Sequence, residues 1–203
     1  MATIEIEKKF LPTPEQQEAL LKDAKIIESK AVTDTYLDTP TYELSTHDLW
    51  LRERDGVYEL KAPPKAGSGS YSGTNRYHEI TDPRLILQEL GLDPNDTIDT
   101  AFNKADIAPF MTCYTNRSSY EKDGFHIDVD SATYDDSEFT YALVEIELLV
   151  DETEAEEADS RIMEFARQYN LRADGVILGK IAALLKEERP EHYNALVAAN
   201  ILK

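Results

Sequence analysis

Charged residues recurring at alternate positions are the part of this chain equipped to do chemistry. Glu5, Glu7 and Lys9 fall on one side of a period-two segment, while Ile4, Ile6 and Phe10 fall on the other. The same parity groups Trp50, Arg52 and Arg54, then Glu59 with Lys61, Tyr77 with Glu79, and Arg117 with Ser119. It groups His126, Asp128 and Asp130, and finally Glu145 with Glu147. Converging Lys and Arg grip a polyanion, and the arginine fork suits phosphate oxygens. Clustered carboxylates repel one another unless hard cations sit among them, and all-oxygen ligation suits Mg²⁺ or Mn²⁺. Both sets in one cavity suit phosphoryl transfer from a polyphosphate.

The elements that must position these residues follow from the same alternation, which reads as antiparallel strands. One such strand is explained by a sheet with a wet face. Several strands, each bringing both signs of charge onto one face, favour a sheet closed on itself. Apolar residues would then lie outside under helices, charges would line a channel, and no sheet edge would remain. The fold class expected is α+β. Thr13-Pro14-Glu15-Gln16 predicts a capped helix running to about Ala24, and Asp82-Pro83 opens another that Gly91 closes. An apolar stripe through Ala158, Ile162, Phe165, Ala166 and Tyr169 predicts a helix over 153–169, with Thr153 and Glu156 as its capping box. Two further helices are expected over 178–188 and 190–200, Pro190 restarting the second. The stretch from Pro63 to Gly73 reads as a mobile loop.

Composition limits what the channel can serve. The chain has 203 residues, with 40 Asp and Glu against 21 Lys and Arg, and a net charge of −19. The length suits one domain with a real core, and the acidity argues against nucleic acid or an anionic membrane as partner. A local cationic set with bound metal still admits an anionic substrate. The single cysteine, Cys113, excludes an intramolecular disulfide framework and a cysteine-based zinc cluster, and reads as a small buried apolar residue. No apolar run approaches membrane-spanning length, and the alternating N-terminus is unlike a secretory signal, so a cytoplasmic protein is expected. Neither a Ser-His-Asp arrangement nor a Gly-rich phosphate loop is evident. Arg76 and His78 fall outward, His126 faces the acids as a hydrogen-bonding group, and His47 and His192 sit in a turn and a helix.

In this order the landmarks resemble the CYTH superfamily, the triphosphate tunnel metalloenzymes. Glu5-Ile6-Glu7-Lys8-Lys9 is similar to its ExExK signature. It is followed by Tyr36-Leu37-Asp38-Thr39-Pro40, Leu51-Arg52-Glu53-Arg54, Tyr58-Glu59-Leu60-Lys61, Glu79, Arg117, Asp128-Val129-Asp130 and Glu145-Ile146-Glu147. His47-Asp48-Leu49-Trp50-Leu51-Arg52-Glu53-Arg54 and the tail Gly179-Lys180 through Arg189-Pro190-Glu191-His192-Tyr193 resemble the thiamine triphosphatase branch. The resemblance spans nearly the whole chain, so 1–203 is expected to be one domain. It implies a closed antiparallel eight-stranded tunnel surrounded by helices.

The resemblance also implies roles. Lys9, Arg52, Arg54, Lys61, Arg117 and Lys180 would hold the triphosphate. Glu5, Glu7, Asp128, Glu145 and Glu147 would carry one or two divalent cations, Mg²⁺ or alternatively Mn²⁺. One metal would bridge the phosphates and another would activate a water for in-line attack, with Glu145, Glu147 and Lys61 as the catalytic set. Trp50 reads either as a packed residue at the tunnel mouth or as a platform for the thiazolium, an attraction of about 0.5–2 kcal/mol. Its match to a branch-marking tryptophan favours the platform, with Tyr77 beside it. The implied activity is Mg²⁺-dependent hydrolysis of thiamine triphosphate by a monomer. Hydrolysis of inorganic tripolyphosphate is the alternative. A class IV adenylyl cyclase and a non-catalytic polyphosphate-binding module rank lower.

Overall fold

The computed structural model describes residues 3–63, 70–71, 74–172 and 177–202. Most of the stretch expected as a mobile loop lies outside those residues. The strands are β1 (Thr3–Phe10), β2 (Lys25–Asp38), β3 (Trp50–Arg54), β4 (Val57–Ala62), β5 (Ser70–Tyr71), β6 (Thr74–Ile80), β7 (Ala108–Lys122), β8 (Phe125–Tyr134) and β9 (Ser137–Asp151). The helices are α1 (Pro14–Leu21), α2 (Pro83–Glu89), α3 (Ile98–Lys104), α4 (Ala155–Arg167), α5 (Lys180–Glu188) and α6 (Pro190–Ala198). All strand pairs are antiparallel, in the order β1-β9-β8-β7-β2-β3-β4-β6, and β6 pairs back onto β1 to close the barrel. The two-residue β5 adds only to β6.

Turn chemistry sets the register that brings charges together. Asp55-Gly56 joins β3 to β4 and Asp123-Gly124 joins β7 to β8, and in each pair both residues have positive φ. That is the backbone a two-residue primed hairpin needs. The first hairpin sets Arg52 opposite Glu59 and Trp50 opposite Lys61. The second sets Arg117 opposite Asp130 and Ser119 opposite Asp128. A slip of one residue would turn every one of these side chains to the outer face.

The outer face is apolar and covered. Ile4, Ile6, Phe10, Ile127, Val144 and Ile146 pack under α4 through its Ala158, Ile162 and Phe165. Leu37, Leu51 and Leu60 pack under α2 and α3 through Ile86, Leu87 and Phe102. Lys8 breaks the apolar parity of β1, and its ammonium reaches Asp159 of α4 at 3.0 Å.

The C-terminal helices form where expected, and α5 packs against part of the tunnel's inner face. Ile181, Leu184 and Leu185 of α5 and Leu196 of α6 pack with Tyr36, Cys113, Ala132 and Tyr134. Those four share strand faces with the tunnel charges, so part of the interior is apolar and α5 covers it from within. A helix with Ile181 to Leu185 all buried cannot lie on a surface.

Two local expectations are corrected, and one element adds to the expected set. Thr153 and Glu156 form no capping box: β9 runs on to Asp151, residues 152–154 make a 3₁₀ turn, and α4 begins without a side-chain cap. Helix α1 stops at Leu21 instead of about Ala24, because the chain reverses through Asp23 at φ 61°. The short α3, capped by Thr97, was not anticipated.

Candidate active site

Closure of the barrel brings Glu5, Glu7, Lys9, Trp50, Arg52, Arg54, Lys61, Tyr77, Arg117, Glu145, Glu147 and Lys180 around one cavity of about 290 Å³. That volume is close to the lower bound for small-molecule sites. Asp128 is not on its wall; it is buried behind Arg117. The cavity also meets Tyr36, Glu79 and residues 177–182, where α5 begins. Gly179 leaves room here, since a Cβ on it would stand 3.3 Å from Lys9 Cε.

The guanidinium groups are held by carboxylates. Arg54 makes a two-pronged contact to Asp34, donating from Nε at 2.6 Å and Nη2 at 2.8 Å. Arg52 bonds Glu59 and lies 3.7 Å from Asp34. Its Nε is buried with no hydrogen-bond partner, an open donor beside the cavity. Arg117 forks onto Asp130 at 2.8 and 2.7 Å, reaches Glu145 at 2.9 Å and also bonds Asp128. Such forked, charge-assisted contacts fix the guanidinium planes before any ligand arrives.

The lysines share carboxylates. Lys180, the first residue of α5, bonds Asp130 and lies 3.5 Å from Glu145. Lys9 bonds Glu7 and sits 3.7 Å from Glu145. Lys61 bridges β1 and β6, 2.8 Å from Glu5 and 3.0 Å from Glu79. Burial pulls its ammonium pKa down, but Glu7, Glu5 and Glu79 push it well above the usual lysine range, so it stays charged.

Glu147 is in the opposite situation. It faces Glu7 directly across the β1–β9 ladder. Burial, followed by the charges of Glu5, Glu7, Glu145 and Asp128, raises its carboxyl pKa well above the ordinary value. Among the described residues, no donor or cation contacts Glu147. One oxygen from each of Glu5, Glu7 and Glu147 lies within 4.8 Å of the others, a spacing suited to one cation. Hard all-oxygen donors with excess negative charge fit Mg²⁺ or Mn²⁺.

Asp48 organises the aromatic side of the cavity. It is buried at φ 61°, and its Oδ1 accepts from Trp50 Nε1 at 3.1 Å and from the Tyr77 hydroxyl at 2.7 Å. Both aromatic residues line the cavity beside the cationic set. Sequence reasoning missed Asp48 and Asp34. Asp34 shares a strand face with Tyr36, a parity that could have exposed it; Asp48 lies outside any strand, where parity is silent.

The chain is 32% identical to thiamine-triphosphatase of Macaca fascicularis, over 98% of this chain and 92% of that protein. It is 30% identical to human thiamine-triphosphatase, over 97% and 90%. Two solved structures share the fold. The PH1819 protein of Pyrococcus horikoshii superposes with a TM-score of 0.58 at 19% identity, covering 91% of this chain and 99% of that one. HpAC1 of Hippeastrum, reported with a dominant triphosphatase activity, gives 0.59 at 16% identity over 91% and 95%. Residues 3–177 match the CYTH domain, and with its closed two-signed tunnel the chain belongs to the CYTH family.

Proposed function

We propose that this chain hydrolyses thiamine triphosphate to thiamine diphosphate and phosphate, as a Mg²⁺-dependent, single-domain, monomeric enzyme of the cytoplasm. The observation that carries the reading is one cavity holding a cationic clamp, an unbalanced carboxylate group and an anchored indole. The likeness to the two thiamine-triphosphatases supports it. Among the described residues, no helix is long and apolar enough to cross a membrane.

Each part of the cavity has a task. Arg52, Arg54, Arg117, Lys9 and Lys180 bind the triphosphate oxygens, trading part of their carboxylate contacts for phosphate. Glu5, Glu7, Asp128, Glu145 and Glu147 would hold the divalent cations. Bound there, Mg²⁺ would neutralise phosphate charge and lower the pKa of a water. Glu145 and Glu147 orient the attacking water and accept its hydrogen bonds on their carboxylate oxygens. As the new O–P bond forms, the water gives up a proton to a Glu145 or Glu147 carboxylate oxygen, the bridging P–O bond breaks, and thiamine diphosphate leaves with that bond's electron pair. Lys61 Nζ stabilises the charge gathering on the phosphoryl oxygens. Trp50 presents an indole face to the thiazolium, held in orientation with Tyr77 by Asp48.

The test is phosphate release from thiamine triphosphate, tripolyphosphate and ATP in parallel, with Mg²⁺ and with EDTA. A Mg²⁺-dependent preference for thiamine triphosphate is expected. A preference for tripolyphosphate would leave the clamp in place and remove the thiamine assignment.

A further inference from the structure

His126 lies on β8 directly across the ladder from Glu147, and two residues before Asp128 on the same face. Its Nε2 stands 3.0 Å from Asp128 Oδ1, which also accepts a hydrogen bond from Ser119 at 2.6 Å. One ligand atom from each of His126, Asp128 and Glu147 lies within 4.8 Å of the others. Donors about 2.0–2.3 Å from a shared ion lie up to about 4.6 Å apart, so small adjustments bring these three onto one metal. The His126 side chain is 43% exposed, which gives an ion a way in, whereas Asp128 is 1% exposed and fixed by Arg117. Glu147 belongs both to this group and to the Glu5–Glu7–Glu147 group. The two groups therefore share one carboxylate and differ in donor chemistry: one is all oxygen, the other includes an imidazole.

We propose that the His126–Asp128–Glu147 position takes a first-row transition ion in preference to Mg²⁺, beside the all-oxygen position that suits Mg²⁺. Mg²⁺ favours oxygen and water, whereas imidazole binds Mn²⁺, Co²⁺ and Zn²⁺. The inference rests on the metal-binding reading of the tunnel but not on any particular substrate.

Pulsed EPR of Mn²⁺ added to the full chain in excess Mg²⁺ tests it without turnover. A bound Mn²⁺ with nitrogen coupling from one imidazole is expected. His126→Gln should remove that coupling and weaken Mn²⁺ binding by at least about tenfold under Mg²⁺ competition. His126→Asp should retain a bound Mn²⁺ without nitrogen coupling and lose the preference over Mg²⁺. Bound Mn²⁺ lacking nitrogen coupling in the unaltered chain would overturn this inference and leave the all-oxygen position standing. Coupling that survives His126→Gln would overturn it too. If neither Mn²⁺ nor Mg²⁺ binds, the metal reading of the whole tunnel fails with it.

Discussion

Arg117 and Glu147 line the same cavity, yet their surroundings treat charge in opposite ways. Around Arg117, Asp128, Asp130 and Glu145 converge within bonding distance, and Asp34 and Glu59 do the same for Arg54 and Arg52. Around Glu147 the near neighbours are other carboxylates and the His126 imidazole, and among the described residues no Lys or Arg pairs with it. Burying an ion is costly unless partners replace water. The arginines are therefore charge-paired in the folded protein alone, apart from the open Arg52 Nε, while in the Glu5–Glu7–Glu147 group lysines reach Glu5 and Glu7 and the spacing leaves room for a cation at Glu147. Under the proposed function, a site built this way would keep its clamp rigid and its reacting end conditional on metal.

The largest effect expected from this contrast is on stability. Asp130→Ala removes one of the two carboxylates that Arg117 and Lys180 share, leaving Glu145, and the broken buried pair is expected to cost about 3–5 kcal/mol. Urea unfolding measures it, and a loss below about 1 kcal/mol would mean the arginine side is not held as described. Next comes Glu147→Gln, expected to reduce kcat by about 10²–10³-fold while the fold persists. Unchanged steady-state turnover would remove Glu147 from the reacting end.

Smaller still is the effect of Trp50→Ala. It should lower kcat/KM for thiamine triphosphate by the equivalent of about 0.5–2 kcal/mol while sparing tripolyphosphate. Equal losses on both substrates would make Trp50 a packing residue only.

The smallest effect lies away from the cavity. His192 of α6 is buried against Ser45 Oγ at 2.7 Å and stacks on Tyr42, with Asp38 and Arg189 nearby. Burial lowers its pKa below the unfolded value of 6.5. The unfolded chain thus binds the proton more readily, so this contribution is complete above pH 6.5 and is lost as pH falls through the folded-state pKa. His192→Gln should flatten that part of the stability–pH curve; an unaltered slope would show the imidazole titrates alike in both states.

How far the sequence speaks depends on whether a residue's role is written in strand parity. Glu5, Glu7 and Lys9, or Glu145 and Glu147, alternate with Ile and Val, and the same period places them on the inner face of β1 and β9. The outer apolar face under α4 was legible for the same reason. Parity carried along β7 and β8 from Arg117 and Asp130 places Cys113, Ala132 and Tyr134 on the inner face, as it does Tyr36 with Asp34, but it could not show that α5 covers them. The run Ile181-Ala182-Ala183-Leu184-Leu185 was the available signal, since a helix apolar on all sides needs burial on all sides. Asp48 acts through a left-handed backbone between elements, where periodicity carries no information. The sharing of Glu147 between two candidate metal positions depends on the β8–β9 register, which only the paired strands reveal.

The most direct test is thermal unfolding of the unaltered chain and Glu147→Gln, each in EDTA and in Mg²⁺. Without metal, the variant should be the more stable of the two, because it relieves like-charge repulsion among Glu5, Glu7 and Glu147. Mg²⁺ should then raise the Tm of the unaltered chain much more than that of the variant. A variant less stable in EDTA, or a Tm of the unaltered chain indifferent to Mg²⁺, would contradict a tunnel completed by a cation.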